Sequence, residues 1–293
     1  MEYTQVEDSV IVKKLNSFDI AQILECGQCF RFHKVSDLHY TIIANNKILY
    51  IKQENDVISL YPCTIQDFES IWIKYFDLNR NYDDIKEEIS KDDVILKEAI
   101  DFAPGIRLLN QEPYECLISF IISQNNRIPQ IKNVIENMSN KFGEKINDPY
   151  GSNFNSFPTC DILNLADISD ITLCKTGFRA KYIKDACKKI SSNEIFLDEL
   201  LDLNEEDCKK RLITIYGVGE KVADCVMLFS LEKYSGFPTD VWVKRVMEEL
   251  YFEGTKTPIK QIHAFANNRW GKYSGFAQQY LFNYAKEKKI GKN

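Results

Sequence analysis

Residues 212–230 read LITIYGVGEKVADCVMLFS. Two apolar runs flank Gly217-Val218-Gly219, which predicts two helices joined by a tight glycine turn, a helix-hairpin-helix over about 204–232. Asn204, followed by Glu205, Glu206 and Asp207, supplies a capping side chain and acids for the first turn of the first helix. Glycine tolerates φ > 0 and lets backbone approach a partner closely. A second helix starting near Gly219 turns its first N–H groups to one side, a site that binds phosphate without side-chain charge. Gly217 and Gly219 are therefore candidate phosphate contacts.

Lys221 falls in the first turn of that second helix. The positive helix end and partial burial both disfavour an ammonium there and raise the fraction of nucleophilic amine. Cys225, four residues on, shares its face, and a soft sulfur beside an amine suits a pocket for a planar ring. The competing reading is a surface ion pair between Lys221 and Asp224. In FPTDVWVKRV (237–246), Asp240 stands where a helix N-cap belongs. Backbone N–H donors hold a capping carboxylate ionised, ready to stabilise positive charge or take a proton.

The bulk numbers admit several classes. The 293 residues suffice for two or three domains, and 44% hydrophobic with 27% charged residues fits a globular chain. No apolar run reaches the roughly 18 residues of a membrane span. The start, MEYTQVEDSV, is acidic and has no apolar core, so no signal peptide is expected and a cytoplasmic location is. Nine cysteines are scattered singly apart from Cys26 and Cys29, and His33, His39 and His263 lack metal-ligand spacing. The net charge of −6 weighs against a nucleic-acid partner unless local patches act, such as 173–190 or the tail 286–293.

Residues 29–62 alternate apolar and polar with turn signals at Ser36-Asp37, Asn45-Asn46 and Glu54-Asn55, predicting an antiparallel meander of three or four strands. Helical patterns follow over 64–78 and in YDDIKEEI and DVILKEAIDF. From Pro113 nearly everything reads as helix, with Pro129 near a helix start and a loop at 147–159. The expected fold is α+β: an N-terminal antiparallel-sheet domain over 1–104 and a two-part all-helical body over 105–293.

GVGEKVADC followed by PTDVW resembles the helix-hairpin-helix DNA glycosylases with a Gly/Pro-rich loop and a catalytic Asp, and within them the 8-oxoguanine DNA glycosylase family. The likeness extends to CGQCFRF (26–32), GIRLLNQEPYECLISFIISQNN (105–126), GFRAKY (177–182) and SGFAQQYLF (274–282). It implies a bifunctional glycosylase/lyase acting on duplex DNA that contains oxidised guanine, with no cofactor. Lys221 would attack C1′ and Asp240 would stabilise the developing charge. The base, flipped out of the duplex, would meet the Gly27 carbonyl, the Gln278 amide, and the faces of Phe282 and Cys225. A carbonyl suits oxidised guanine, which carries a hydrogen on N7 where guanine has a lone pair. Asn125 and Arg179 would bond the orphaned cytosine, with Phe178 as a wedge. Family hairpins also hold a structural cation on backbone carbonyls, here around Ile213, Ile215 and Val218. A monomer acting on the nucleoid of a bacterium or archaeon is expected.

The chain departs from eukaryotic relatives in three places. Gln130 stands where they carry Arg, Phe178 where they carry Tyr, and Trp242 where they carry His. Losing a guanidinium predicts weaker discrimination of the opposite base; Trp242 can still donate its indole N–H to a phosphate. Absence of a four-cysteine set speaks against the iron–sulfur branches. Three alternatives remain: a monofunctional alkylated-base glycosylase, a non-catalytic DNA-binding hairpin, and a plain helical scaffold.

Overall fold

A computed structural model describes residues 1–291, so the last two residues of the basic tail lie outside the described residues. The N-terminal part is a six-stranded antiparallel sheet: β1 (Glu2–Val6), β2 (Ser9–Lys13), β3 (Phe32–Ser36), β4 (His39–Ala44), β5 (Lys47–Glu54) and β6 (Val57–Tyr61). Their spatial order is β1-β2-β6-β5-β4-β3. The three turns read from sequence are present: Leu38, Asn45, Asn46 and Asn55 take positive φ at the hairpin corners. Two strands exceed the expected meander. β1 is exposed at all five positions and so lacks the in/out alternation that marks a strand, and β2 is short.

One face of the sheet is apolar. Val12 pairs with Ile58, and Ile51 with both Leu60 and Tyr40, and all are buried. That face is covered by helix Ile20–Glu25 and by Phe68, Trp72 and Phe76. The helix predicted over 64–78 is α over Ile65–Asp67, widens to a π-turn over Phe68–Trp72, and returns to α over Ile73–Tyr75.

The packing divides the chain differently from a break at 104. The sheet's core ends at Leu78 plus Leu109, whereas helices Tyr82–Ser90 and Val94–Phe102 join the core of the helical body. Their apolar stripes need a cover, and the long C-terminal helix Ser274–Lys288 supplies it. Tyr82 meets Phe276 edge-on at 5.6 Å, and Phe102 meets Tyr284 at 5.7 Å. Arg107, 3% exposed, ties the two parts together. Its guanidinium donates to the carbonyls of Asn16, Ser17 and Asp77 and lies 4.4 Å from the Tyr82 ring centroid.

The hairpin is built as read. Asn204 Oδ1 accepts the Asp207 N–H at 3.0 Å, opening helix Glu205–Ile213; after the turn, helix Glu220–Ser230 begins with Gly219 as its cap. Pro129 lies in the first turn of helix Ile128–Phe142, and 147–159 is loop.

Candidate active site

Helices Glu220–Ser230, Ile128–Phe142 and Ser274–Lys288 and the loop after Ile20–Glu25 enclose a cavity of about 130 Å3. Lys221, Cys225, Asp240, Gln278, Phe282 and Gly27 all line it. Ligand pockets usually span about 300–1,000 Å3, so this one fits a single ring system and not a whole nucleotide. A larger groove of about 560 Å3 lies between the sheet and the 142–162 region but contains none of these residues.

Lys221 is half-buried, with its Nζ 5.3 Å from the Phe120 ring centroid. Phe120 is itself stacked on Phe229 and touched edge-on by Phe30, so the amine's floor is rigid and apolar. The alternative pairing with Asp224 does not occur. Asp224, 1% exposed, turns away and meets Lys209 at 2.5 Å. The Cys225 thiol beside the amine is pushed up to about 11 by burial, with Lys221 pulling the other way, so it stays protonated at neutral pH.

Asp240 caps helix Val241–Val246, its Oδ1 accepting the N–H groups of Trp242 at 2.9 Å and Val243 at 2.8 Å. The cap is as read, and burial acts against it. Burial raises the Asp240 pKa above the ordinary carboxylate value, and the Val243 N–H, the Lys221 charge and the Trp242 N–H recover only part of that. Capping donors stabilise the anion, but desolvation outweighs them here.

Gln278 is 5% exposed, and its Oε1 has no hydrogen-bond partner. A buried amide oxygen without a donor is costly, about 1–3 kcal/mol, and this one sits in the cavity wall where a ligand N–H could satisfy it. Its neighbour Gln279 was not singled out in the sequence. The Gln279 amide donates to the Cys26 carbonyl at 2.9 Å and so anchors the Gly27 loop. Gln28, fully buried, fixes the same loop by donating to Ile23 and Arg107 carbonyls and accepting from the Leu109 N–H. Only the unusual pairing of two glutamines in an apolar helix hinted at this.

Gly27 has φ +85, and a Cβ added there would stand 2.9 Å from Phe282 Cε1. Among the described residues its carbonyl has no donor. Gly27→Ala is expected to strain the loop by about 1–3 kcal/mol and to displace the Phe282 ring. Thermal melting checks this, and an unchanged melting temperature would contradict it.

The loop after helix Pro113–Ser123 forms the rim. Asn126 lines the cavity, and the exposed Asn125 takes φ 48 at the loop tip. Arg179 is 8% exposed and already occupied. Its Nε donates to the Gln124 carbonyl, Nη2 to those of Gln124 and Asn125, and Nη1 to that of Thr176. Phe178 beside it is half exposed. Gln130 is exposed and does not line the cavity, whereas Ile128 and Ile131 of the same helix do.

The hairpin turn precedes Lys221 directly. Gly217 has φ +84, and an added Cβ would collide with the Tyr182 ring at 2.3 Å. Gly219 differs from the expectation of positive φ. It takes φ −102, and a Cβ there would meet nothing within 4 Å. Its glycine leaves open space, not a strained turn. Trp242 lies two residues past Asp240 with the Arg245 guanidinium 5.5 Å from its ring centroid. In the turn, the Ile215 carbonyl accepts the Val218 N–H at 3.0 Å. A carbonyl has a second lone pair, so the carbonyls of Ile213, Ile215 and Val218 suit a hard cation only if it shares that acceptor. Of the basic stretch at 173–190, Lys184 and Lys189 are spent on backbone carbonyls, while Lys181 lies exposed over the Tyr182 and Tyr216 rings.

Residues 10–117 match the 8-oxoguanine DNA glycosylase N-terminal domain, and residues 118–272 match the HhH-GPD superfamily of base excision DNA repair proteins. The chain belongs to the 8-oxoguanine DNA glycosylase family. A yeast (Saccharomyces cerevisiae) N-glycosylase/DNA lyase is 30% identical, with 90% of this chain and 82% of that protein covered. A probable N-glycosylase/DNA lyase of Methanothermobacter thermautotrophicus is 29% identical over 72% of each. Among solved structures, the Clostridium acetobutylicum 8-oxoguanine glycosylase/lyase, in complex with double-stranded DNA containing cytosine opposite 8-oxoG, is 43% identical. It covers 99% of each chain with a TM-score of 0.95. The glycosylase thus shares its whole architecture with a solved enzyme, sheet included.

Proposed function

We propose that this base excision repair glycosylase/lyase removes 8-oxoguanine from duplex DNA through Lys221 and Asp240. The observation that carries the reading is the unpartnered Gln278 Oε1, buried in the same small cavity as an amine, a carboxylate and the Gly27 carbonyl. A flipped guanine presents N–H groups on its Watson–Crick edge for the Gln278 oxygen. The oxidised base adds an N7–H for the Gly27 carbonyl, against which the N7 lone pair of guanine would be repelled. Phe282 and Cys225 supply a ring and a neutral sulfur for its faces.

In this scheme the Lys221 amine, in its neutral form, bonds to C1′ through its lone pair as the C1′–N9 bond breaks, and the electron pair of the broken bond leaves with the base. The Asp240 carboxylate stabilises the positive charge on the sugar and takes the proton shed by the nitrogen. Ring opening gives an iminium linking Nζ to C1′. The displaced base, carrying that electron pair, takes a C2′ proton as the 3′ phosphate is expelled, and water then hydrolyses the C1′–Nζ link and releases the enzyme. Duplex approaches along Gly217–Gly219, where the open space over Gly219 and the helix-start N–H groups accept a phosphate despite the acidic net charge. Trp242 adds an indole donor. Asn125 and Phe178 fill the gap left by the base. The enzyme is proposed to act as a monomer. A duplex with one 8-oxoguanine should lose that base and be nicked there, whereas its undamaged counterpart should stay intact. Equal action on both would overturn the reading.

Opposite-base discrimination should be weak. Gln130 brings no charge, and Arg179 has committed most of its donors to Thr176, Gln124 and Asn125. A bidentate base contact contributes about 1–3 kcal/mol. The ratio of excision opposite cytosine to excision opposite adenine should therefore lie ~10-fold or more below that of a relative carrying arginine at the Gln130 position. A ratio equal to that relative's contradicts this.

A further inference from the structure

His263 lies outside the cavity and has no part in the scheme above, yet it grips the segment that ends in Asp240. It belongs to helix Ile259–Trp270, and its Nε2 is 3.1 Å from Thr239 Oγ1. Thr239 is 8% exposed, and its hydroxyl donates to the Phe237 carbonyl at 3.0 Å. With that proton committed, the hydroxyl accepts from the His263 ring N–H. The same helix holds the other end of the segment, since Trp270 stacks on Phe237 with centroids 5.6 Å apart and planes 17° apart.

The segment also approaches the helix of the nucleophile. Gly236 lies against Asp224, whose Oδ1 is 3.7 Å from where a Gly236 Cβ would be. Asp224 stands on the helix that carries Lys221, and Lys209 compensates its charge. Residues 236–240 thus lie against both the helix of the nucleophile and the helix of His263. Burial keeps the His263 ring neutral, against the raising influence of Asp224 and Glu220 and with that of Lys209.

We infer that His263 is a positioning residue for base excision: through Thr239 and the Phe237 carbonyl it sets where Asp240 stands relative to Lys221. The inference rests on the reading of Asp240 given above. Reaction rates are sensitive to such placement, and a displacement near 1 Å costs up to about 100-fold.

The test is single-turnover excision on a duplex with one 8-oxoguanine, with DNA affinity and melting temperature measured beside it. His263→Phe keeps a ring but loses the bond, and it should slow excision ~10-fold or more while changing affinity less than about 2-fold. His263→Gln, which restores a donor, should recover most of the rate. Thr239→Val should resemble His263→Phe, and the double variant should be no slower than the slower single one, because the two act as a unit. If His263→Phe folds poorly, the Gln and Val variants carry the comparison at matched stability. Wild-type rates in His263→Phe, no recovery in His263→Gln, or multiplying losses in the double variant would overturn the inference. A folded wild type that releases no base, like the Asp240→Asn control, would instead overturn the reading of the site itself.

Discussion

Replacing Lys221 by Gln should abolish strand cleavage at 8-oxoguanine and lower base release by ~10^3-fold or more, the scale of losing a catalytic nucleophile. Glutamine is close in length and keeps a polar end, so the packing over Phe120 survives while the attacking nitrogen becomes an amide. No other lysine lines the cavity among the described residues, so no second amine stands ready to substitute. Affinity for the damaged duplex should change little, because the hairpin N–H groups and the base pocket remain. Strand cleavage and base release are followed separately, by denaturing gel directly and after hot alkali. Retained cleavage in the variant would remove Lys221 from the lyase step.

Asp240→Asn should combine a large loss of activity with no loss of stability. Removing preorganised charge stabilisation costs about 10^2–10^3-fold in rate. The stability follows from the raised Asp240 pKa. Below the unfolded value near 3.9 the carboxyl is protonated in both states and costs nothing. As the pH climbs through the raised folded value, the folded protein must ionise a buried group that the unfolded chain ionises freely, and stability is lost. Asparagine still accepts the Trp242 and Val243 N–H groups without that cost. The variant should therefore melt no lower than wild type at neutral pH, with the difference closing near pH 4. Because the proposed scheme uses the carboxylate anion, the acid limb of wild-type excision should lie above that of an unperturbed aspartate. A clearly lower melting temperature for the variant at neutral pH would contradict this balance.

What was legible in the sequence was local. The Asn204 cap, the glycine turn, the Asp240 cap and the four-residue spacing of Lys221 and Cys225 depend on neighbours within one or two turns, and each is found in the structure. The desolvation that opposes the Asp240 cap is not legible there, because burial is set by distant chain, which no local pattern displays. For the same reason Gln279, Gln28 and Arg107 were missed. They join segments 30 to 253 residues apart, and a buried glutamine looks like any other until its partners are known. Helices Tyr82–Ser90 and Val94–Phe102 adjoin the sheet in sequence, but their apolar stripes pack on the C-terminal helix. The family resemblance supplied what periodicity did not: the roles of Gly27 and Gln278. The unpartnered Gln278 oxygen then gives the second of these a physical basis.

The most direct measurement is borohydride reduction of wild-type protein reacting with a duplex that carries a single 8-oxoguanine, followed by digestion and mass mapping of the trapped adduct. The expected result is one sugar-derived adduct, on the peptide containing Lys221. An adduct on a different lysine, or base release with no trapped adduct at all, would contradict the assignment of Lys221 as the nucleophile.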